Sequence, residues 1–419
     1  MSIEYTKLPN GLRVITDTVP SVESVAVGIW ADVGTRHEEM KDNGVAHMVE
    51  HMMFKGTPTR SAAQIAEQVE DVGGQVNAYT SREVTSYHMH LLKDDFSLAM
   101  DVLSDIVQRP TMPEEEVERE RGVILQEIGM THDTPDDVIF DHYQQTAYPD
   151  QAIGAPILGR VDIIEKMTRD TLMDYVFRFY TPSRLVVSAS GNISHEQVIK
   201  QTEALFSDLP EDQKSQQSAA NYNGGEFREH KDLEQAHLVL GFDGVSRHDD
   251  QFYAVAVLAT VLGGGMSSRL FQEVREKRGL VYSVFSHHAT YQDDGQFMIY
   301  AGTGPDLLPE LIPVLCGEII KSFDQFTDQE MNRAKAQIKA DLLMGRESMM
   351  RRANQQAKHL IHFDDVISLE DKIKKLDQVS ANDVANLAKQ IFSSSPTLAA
   401  LGPLGQLESF DNIKDRLAA

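Results

Sequence analysis

Cysteine is nearly absent from this chain, because Cys316 is the only cysteine among its 419 residues. A single cysteine excludes a disulfide within the chain, and it also excludes the multi-thiolate sites that hold many structural zinc ions. This composition fits a reducing compartment. We therefore expect a cytoplasmic protein.

Basic side chains are also scarce. The chain has 39 Lys and Arg against 64 Asp and Glu, which gives a formal net charge of −25. Nucleic-acid binding needs a basic surface that neutralises phosphates, so we exclude nucleic acid as a partner. Two interpretations of the acidic excess stay open: it keeps the protein soluble, or part of it lines a cavity that attracts basic peptides.

Long hydrophobic runs are missing as well. No stretch of about 18 apolar residues occurs, so we predict no membrane-spanning segment and no membrane partner. The opening residues, MSIEYTKLPNGLRVITD, lack both the apolar core of a signal peptide and the Arg-rich, acid-poor composition of a transit peptide. Asn10-Gly11 predicts the turn of a β-hairpin. We expect folded structure to begin close to Met1.

The chain is organised as two similar halves. A polar, turn-rich stretch at 211–230 is typical of a linker, and it separates residues 1–210 from residues 231–419. Two pairs of segments resemble each other across this linker: AVGIWADVGTRHEE (26–39) with LVLGFDGVSRHDDQ (238–251), and PEEEVERERGVILQEI (113–128) with TDQEMNRAKAQIKADL (327–342). We infer an internal duplication.

Hydrophobic periodicity indicates the fold class. Alternating apolar residues predict strands at 25–30 and 84–92, whereas a 3.6-residue period predicts helices at 62–72, 96–107 and 113–130. Strands and helices in this succession favour an α+β fold, in which each half has a mixed, mainly antiparallel sheet with helices packed on one face.

The sequence HMVEH at 47–51 predicts a metal site. Asn43-Gly44 can cap a predicted helix at 45–54, on which His47 and His51 are four residues apart and therefore project from one face. Two imidazoles so placed can bind one zinc ion. Glu50 can reach a water molecule on that ion without being a ligand, as in the zinc-peptidase motif with Glu and His in reversed order.

A third ligand is expected from the helix that starts at Pro113. Glu120 and Glu127 lie two turns apart along the apolar stripe of that helix, where a carboxylate needs a cation or a strong donor nearby. We predict that Glu127 is the third zinc ligand and that Glu120 orients a histidine. One zinc ion per chain, with a fourth position open to water, would complete the site. The alternative is an accidental cluster, since the chain has 15 histidines.

With these motifs in view, the chain resembles the pitrilysin-type zinc peptidases, or inverzincins. The resemblance is closest to the half-length branch of the mitochondrial processing peptidase beta subunit and its bacterial homologues, and it covers essentially the whole chain. Five segments carry it: LPNGLRV at the start, GVAHMVEHMMFKGT (44–57), GGQVNAYT (73–80), ERERGVILQE (118–127) and LFQEVREKRGLVY (270–282).

The resemblance implies a role for each matching residue. Glu50 would be the general base, Glu120 an accessory catalytic group, and His47, His51 and Glu127 the zinc ligands. Arg275 and Tyr282, from the metal-free second half, would reach the active site, where Tyr282 donates a hydrogen bond to the substrate. Phe54 would line a pocket beyond the cleaved bond, and Asn77 and Ala78 would lie on the strand that binds peptide.

The resemblance also implies an activity and an assembly. The expected protein is a bacterial zinc metalloendopeptidase that cleaves unfolded or extended peptides inside a chamber formed by a homodimer; a heteromeric partner stays open. The acidic charge of the chain favours basic peptides as substrates. Two alternatives remain. One is a non-catalytic structural or peptide-binding subunit, and the other is a maturase for one dedicated precursor peptide.

Overall fold

The computed structural model describes residues 2–213, 217–324 and 326–418. The described residues form two compact units. Unit 1 is drawn from Met1–Gly129, Ala155–Gln217 and Leu343–Ile367, and unit 2 from Met130–Gly154, Ser218–Leu342 and Ser368–Ala419. The units therefore differ from the predicted contiguous halves, because each takes one segment from the other half of the chain. Part of the predicted linker, 214–216, lies outside the described residues.

The strands, in chain order, are β1 (Ser2–Lys7), β2 (Arg13–Thr18), β3 (Ser24–Ala31), β4 (Gln75–Thr80), β5 (Thr85–Leu92), β6 (Leu185–Gly191), β7 (Gly225–His230), β8 (Ala236–Asp243), β9 (Ser283–Thr290), β10 (Gly295–Thr303) and β11 (Thr397–Gly402). The helices of the first 210 residues are α1 (Val45–Met52), α2 (Ala62–Glu70), α3 (Phe96–Gln108), α4 (Glu114–His132), α5 (Pro135–Ala147), α6 (Val161–Ile164), α7 (Arg169–Phe179) and α8 (His195–Leu205). Those that follow are α9 (Phe252–Gly263), α10 (Leu308–Lys321), α11 (Asp328–Met344), α12 (Met349–Phe363), α13 (Leu369–Gln378), α14 (Ala381–Phe392) and α15 (Phe410–Leu417).

The sheet of unit 1 has the strand order β1-β2-β6-β3-β5-β4. Only β2 and β6 run parallel, and the other pairs are antiparallel. The predicted hairpin turn joins β1 to β2, where Gly11 has a φ of +98° and the carboxamide oxygen of Asn10 accepts a hydrogen bond from the amide of Leu12 at 3.1 Å. Only Gly11 of the pair has a positive φ, so the connection is a longer hairpin loop, closed by the hydrogen bonds from Leu8 to Leu12 and from Gly11 to Leu8, and not the two-residue turn that Asn-Gly favours.

The two faces of this sheet are covered differently. On β3, Val25, Val27 and Ile29 pack into the large core with α1 and α3. The alternate residues Ala26 and Trp30 point to the opposite face, as strand geometry requires, and pack against α12. The structure therefore adds one helix on the second face of the sheet, from the segment Leu343–Ile367.

The sheet of unit 2 has the order β7-β11-β8-β10-β9. Its single parallel pair is β7 with β11, and its remaining pairs are antiparallel. This arrangement repeats β2-β6-β3-β5-β4 of unit 1, strand for strand and direction for direction. The repetition supports the inferred duplication.

Helix α5 covers the second face of that sheet. Ile139 and Tyr143 pack with Val239 and Ala399, while the other face carries the core that includes α9, α10 and α14. The α+β fold class is confirmed. Among the described residues, no helix combines the length and the apolar character that a bilayer crossing requires.

Candidate metal centre

Helix α1 has one apolar and one polar side. Val45, Met48, Val49 and Met52 are fully buried in the core of unit 1, with a period that places them on one stripe. The histidines and the glutamate of the motif therefore project from the rest of its circumference. The helix begins after Gly44, whose left-handed backbone (φ +93°) suits glycine.

Three side chains of unit 1 converge next to this helix. Nε2 of His47 and Nε2 of His51 each lie 3.8 Å from Oε2 of Glu127, which projects from α4. One possible ligand atom from each of the three residues lies within 4.8 Å of the other two. In the described part of the chain, no other group of three or more His, Cys, Asp or Glu residues meets this criterion. Ligand atoms bound to a tetrahedral ion at about 2.1 Å are about 3.4 Å apart. A small inward shift of these atoms would bring them to that spacing.

The chemistry of the group suits zinc. Two imidazoles and one carboxylate form a set of ligands that is common in zinc enzymes and leaves one position open. Burial lowers the pKa of His47 to about 4, with a smaller contribution from the neighbouring His51. His47 is therefore neutral near pH 7, which is the state that binds a metal. The buried Nδ1 of His47 has no hydrogen-bond partner within the described residues.

His51 is oriented by a carboxylate on α4. Its Nδ1 lies 2.9 Å from Oε2 of Glu120, so the ring nitrogen that faces Glu127 is left free to bind a metal. Oε1 of Glu120 is 2.6 Å from Nζ of Lys55. Burial alone would raise the pKa of Glu120, but the hydrogen bonds from Lys55 and His51 bring it below its ordinary value. The role predicted for Glu120 as an orienting group fits this geometry.

Glu50 lies between the two histidines in sequence and is partly buried. Burial raises the pKa of its carboxyl group, and the nearby Thr80 hydroxyl opposes that rise. One carboxylate oxygen, Oε2, is inaccessible to solvent and accepts no hydrogen bond from the described residues. A carboxylate with a raised pKa and an unused oxygen is suited to accept a proton.

The residues predicted to bind peptide lie on and beside β4, which is an outer strand of its sheet. Asn77 is exposed, and its carboxamide oxygen accepts a hydrogen bond of 2.8 Å from the amide of Ala78. The ring of Phe54 is half-buried, 6.0 Å from the ring of Tyr87. An outer strand can pair with an extended peptide, so these positions permit the predicted role, which stays a prediction.

Arg275 and Tyr282 belong to unit 2. Arg275 lies on a π-helical turn, Phe271–Glu276, and its guanidinium stacks over the rings of Phe271 at 4.7 Å and Tyr282 at 5.5 Å. The side chain of Tyr282 is 75% exposed, so it is not a core aromatic residue. The pair is thus held together at the surface of unit 2, and its predicted role in catalysis stays a prediction.

Three residues near the centre were not predicted. Lys55 forms an ion pair with Glu120. The hydroxyl of Thr80 lowers the pKa of Glu50, and the carboxylate of Glu38 accepts hydrogen bonds from the amides at the start of α1. Lys55 and Thr80 fall inside segments that carry the family resemblance, but no spacing rule singles them out. Glu38 was missed because Asn43-Gly44 was expected to cap α1; in the structure Gly44 is the N-cap, and the carboxamide of Asn43 instead donates a hydrogen bond to Glu38.

Comparison with known proteins gives a consistent result. The domain described as "Insulinase (Peptidase family M16)" matches residues 13–161, and the one described as "Peptidase M16 inactive domain" matches residues 166–338. An "uncharacterized zinc protease" of Rickettsia felis is 40% identical over 96% of this chain and 98% of its own length. One with the same description from Bacillus subtilis is 38% identical over the same shares.

A solved structure agrees with the fold. The crystal structure of a protease from Helicobacter pylori superposes with a TM-score of 0.90, at 24% sequence identity, and covers 96% of this chain and 99% of that one. The shared fold therefore extends over nearly all of both chains.

Proposed function

Because the chain belongs to the M16 (insulinase) peptidase family, we propose that it is a zinc-dependent endopeptidase in which Glu50 is the general base. The observation that carries the proposal is the convergence of His47, His51 and Glu127 beside Glu50. The descriptions of the relatives as zinc proteases support the same conclusion.

The reaction follows from the placement of these groups. A zinc ion held by His47, His51 and Glu127 would supply a Lewis acid that polarises water and the substrate carbonyl. Glu50 takes the proton of the attacking water on its carboxylate and then donates it to the amine that leaves. Glu120 holds the ring of His51 in one orientation throughout.

Substrate binding is proposed from the free edge of β4. An extended peptide would pair with this strand near Asn77 and Ala78, and its main-chain groups would provide most of the affinity. Unfolded peptides satisfy this requirement, and folded proteins do not. Basic peptides are favoured by the net charge of −25.

The assembly is also part of the proposal. We expect a cytoplasmic homodimer with one zinc ion per chain, in which Arg275 and Tyr282 of the metal-free unit complete the active site. A single sedimenting species of dimer mass in analytical ultracentrifugation of the purified chain would support the homodimer. A stable, active monomer would contradict it.

A panel of unrelated fluorogenic peptides, assayed with and without a metal chelator, tests the function. We expect several extended peptides to be cut, and we expect the chelator to abolish cleavage until zinc is restored. A structural or peptide-binding subunit would cut none of them, and a maturase would cut none without its own precursor.

The variant Glu50→Gln tests the role of the general base. Loss of a general base typically costs about 100- to 10,000-fold in rate, and the amide should leave zinc content unchanged because Glu50 is not a ligand. Glu67→Gln, at an exposed position of α2, is the matched control and should retain full activity. Undiminished cleavage by Glu50→Gln would refute the assignment.

A further inference from the structure

Helix α1 begins without a capping side chain of its own. Its N-cap residue is Gly44, so no side chain at that position can accept a hydrogen bond from the amides of the first turn. Most helices satisfy these amides with Ser, Thr, Asp or Asn at the N-cap. In this chain another residue must do so, because the start of the helix is buried.

Glu38, six residues before Gly44, supplies the cap. Its Oε2 accepts hydrogen bonds from the amide of Gly44 at 2.9 Å and from the carboxamide of Asn43 at 3.0 Å. Its Oε1 accepts a hydrogen bond from the amide of Ala46 at 2.9 Å. The carboxylate also lies at the positive end of the helix dipole. The residue that follows Ala46 is the ligand His47.

The segment that carries Glu38 is fixed to the β4–β5 hairpin. The amides of Thr35 and Arg36 donate to the carbonyl oxygens of Ser81 at 3.1 Å and Arg82 at 2.9 Å. Nη1 of Arg36 forms a buried ion pair of 2.7 Å with Glu83. Glu38 therefore links the first turn of α1 to the hairpin whose first strand, β4, ends at Thr80 beside Glu50.

A buried carboxylate costs folding free energy unless donors surround it. Glu38 is only 7% exposed, and its two oxygens accept three hydrogen bonds, all from residues 43–46. An apolar side chain in the same place would leave the buried amides of Gly44 and Ala46 without an acceptor. The arrangement fits a group retained because it fixes the start of α1.

We propose that Glu38 is a positioning residue of the metal centre, which holds the first turn of α1 against the β4–β5 hairpin and thereby sets the place of His47 and Glu50. The inference rests on the proposed zinc site. Glu38 forms its three hydrogen bonds with residues 43, 44 and 46, and it acts through the backbone at the start of α1.

Two variants separate positioning from general stability. Glu38→Ala removes all three hydrogen bonds. Glu38→Gln keeps the shape of the side chain, but only one of its two terminal atoms, the carbonyl oxygen, can still accept a hydrogen bond. The zinc dissociation constant is measured by competition with a chromophoric chelator. The visible absorption of the cobalt-substituted protein reports the ligand geometry. The zinc dissociation constant and the cobalt absorption spectrum are both recorded well below the thermal unfolding temperature of each variant.

The matched control is Asp17→Asn. Asp17 is a fully buried carboxylate of the same unit, paired with Arg352 at 2.7 Å. Asp17 lies on β2 two residues after Ile15, so the two side chains point to the same face of the sheet. Ile15 packs towards α12, on the face away from α1. This variant should unfold at a lower temperature and still bind zinc as tightly as the unmodified chain.

We expect zinc to bind about tenfold more weakly to Glu38→Ala, by analogy with other supporting groups of metal sites, and about threefold more weakly to Glu38→Gln, with an altered cobalt spectrum in both. If Glu38→Ala does not fold, Glu38→Gln decides. Unchanged zinc affinity and cobalt spectrum in Glu38→Gln, beside an unmodified chain that binds zinc, would overturn the inference. Failure of the unmodified chain to bind zinc would instead refute the proposed function.

Discussion

Helices α1 and α9 occupy the same place in the two duplicated units and have opposite characters. Each follows the strand that is third in its repeated order, β3 or β8, after an Arg-His pair: Arg36-His37 in unit 1 and Arg247-His248 in unit 2. Helix α1 carries the motif of His47, Glu50 and His51. Helix α9 is apolar apart from the hydroxyl groups of Tyr253 and Thr260, and most of its residues are buried.

The acids after these Arg-His pairs are also comparable. Glu38 caps α1 from six residues before its N-cap, whereas Asp249 accepts a hydrogen bond of 2.8 Å from the amide of Gln251, the N-cap residue of α9. In both units an acid that follows the Arg-His pair accepts a hydrogen bond from the amide of the N-cap residue. The segment between the acid and the helix is longer in unit 1 than in unit 2. Helix α1 begins directly after its N-cap, Gly44.

The helices that follow differ in the same sense. The alignment of 113–128 with 327–342 places Ala334 opposite Glu120 and Asp341 opposite Glu127. Ala334 is buried in the core of unit 2, so no charged partner is required there. The comparison teaches that one arrangement of strands and helices accommodates a helix with the His-Glu-His motif in one unit and an apolar helix in the other.

The largest expected effect is the loss of a ligand. His51→Ala should weaken zinc binding by about 1,000-fold, because two ligands hold the ion far less well than three. The measurement is zinc titration against a competing chelator. The control is His90→Ala, an exposed histidine on β5, which should bind zinc normally. Equal affinity of both variants would contradict the assigned site.

The counterpart in unit 2 should respond only in stability. Leu258 is fully buried at the position of α9 that corresponds to the motif, so Leu258→Ala should cost about 3 kcal/mol of unfolding free energy. Zinc affinity, measured in the same preparation as the urea unfolding curve, should not change. A large loss of zinc affinity would break the distinction between the two units.

Lys55 tests how far the support of the metal site extends. Lys55→Met removes the cation from Glu120 but keeps most of the side-chain volume, and we expect about tenfold weaker zinc binding. Lys93→Met is the control, because it breaks an exposed pair with Glu23 that should contribute little. Zinc affinity that is unchanged in both variants would show that Glu120 orients His51 without help.

The hairpin turns of the two sheets give a prediction for pH. Glu83 in the β4–β5 turn pairs with Arg36, whereas burial raises the pKa of Asp294, in the β9–β10 turn, to about 6, and the charge of Asp243 adds to the rise. The pKa of this carboxyl group is higher in the folded than in the unfolded protein. The group therefore makes its full contribution to the stability of the folded state below its unfolded pKa of about 3.9. That contribution is lost as the pH rises through 6.

Asp294→Asn should therefore be more stable than the unmodified chain at pH 8, by about 1 kcal/mol after allowance for solvent screening. The advantage should vanish near pH 4. Urea unfolding at both pH values measures it. An advantage of the same size at pH 4 would show that the carboxyl does not titrate as described.

Much of the fold and the site followed from local sequence patterns. The helices predicted at 62–72, 96–107 and 113–130 end within two residues of α2, α3 and α4, because an amphipathic period is a property of neighbouring residues. The same holds for His47 and His51, whose spacing fixes their common face. Glu120 and Glu127 were singled out because a carboxylate on an apolar stripe needs an explanation; the structure buries Glu120 and leaves the side chain of Glu127 39% exposed.

What the sequence left undetermined depends on contacts between distant segments. The apolar stripes of α5 and α12 predict burial but not which sheet is covered, so the exchange of 130–154 and 343–367 between the units was not predicted. Lys55 is an ordinary surface-type residue until Glu120 lies beside it. Glu38 looks like one of many exposed acids until it is seen at the start of α1.

The central claim is that His47, His51 and Glu127 hold one zinc ion. X-ray absorption at the zinc edge, on the purified chain loaded with one equivalent of zinc, measures the ligands directly. The account predicts two imidazole nitrogens and carboxylate or water oxygens at about 2.0–2.2 Å, and a changed spectrum with weaker binding in Glu127→Ala. A spectrum with one imidazole or none, or one that Glu127→Ala leaves unaltered, would contradict it.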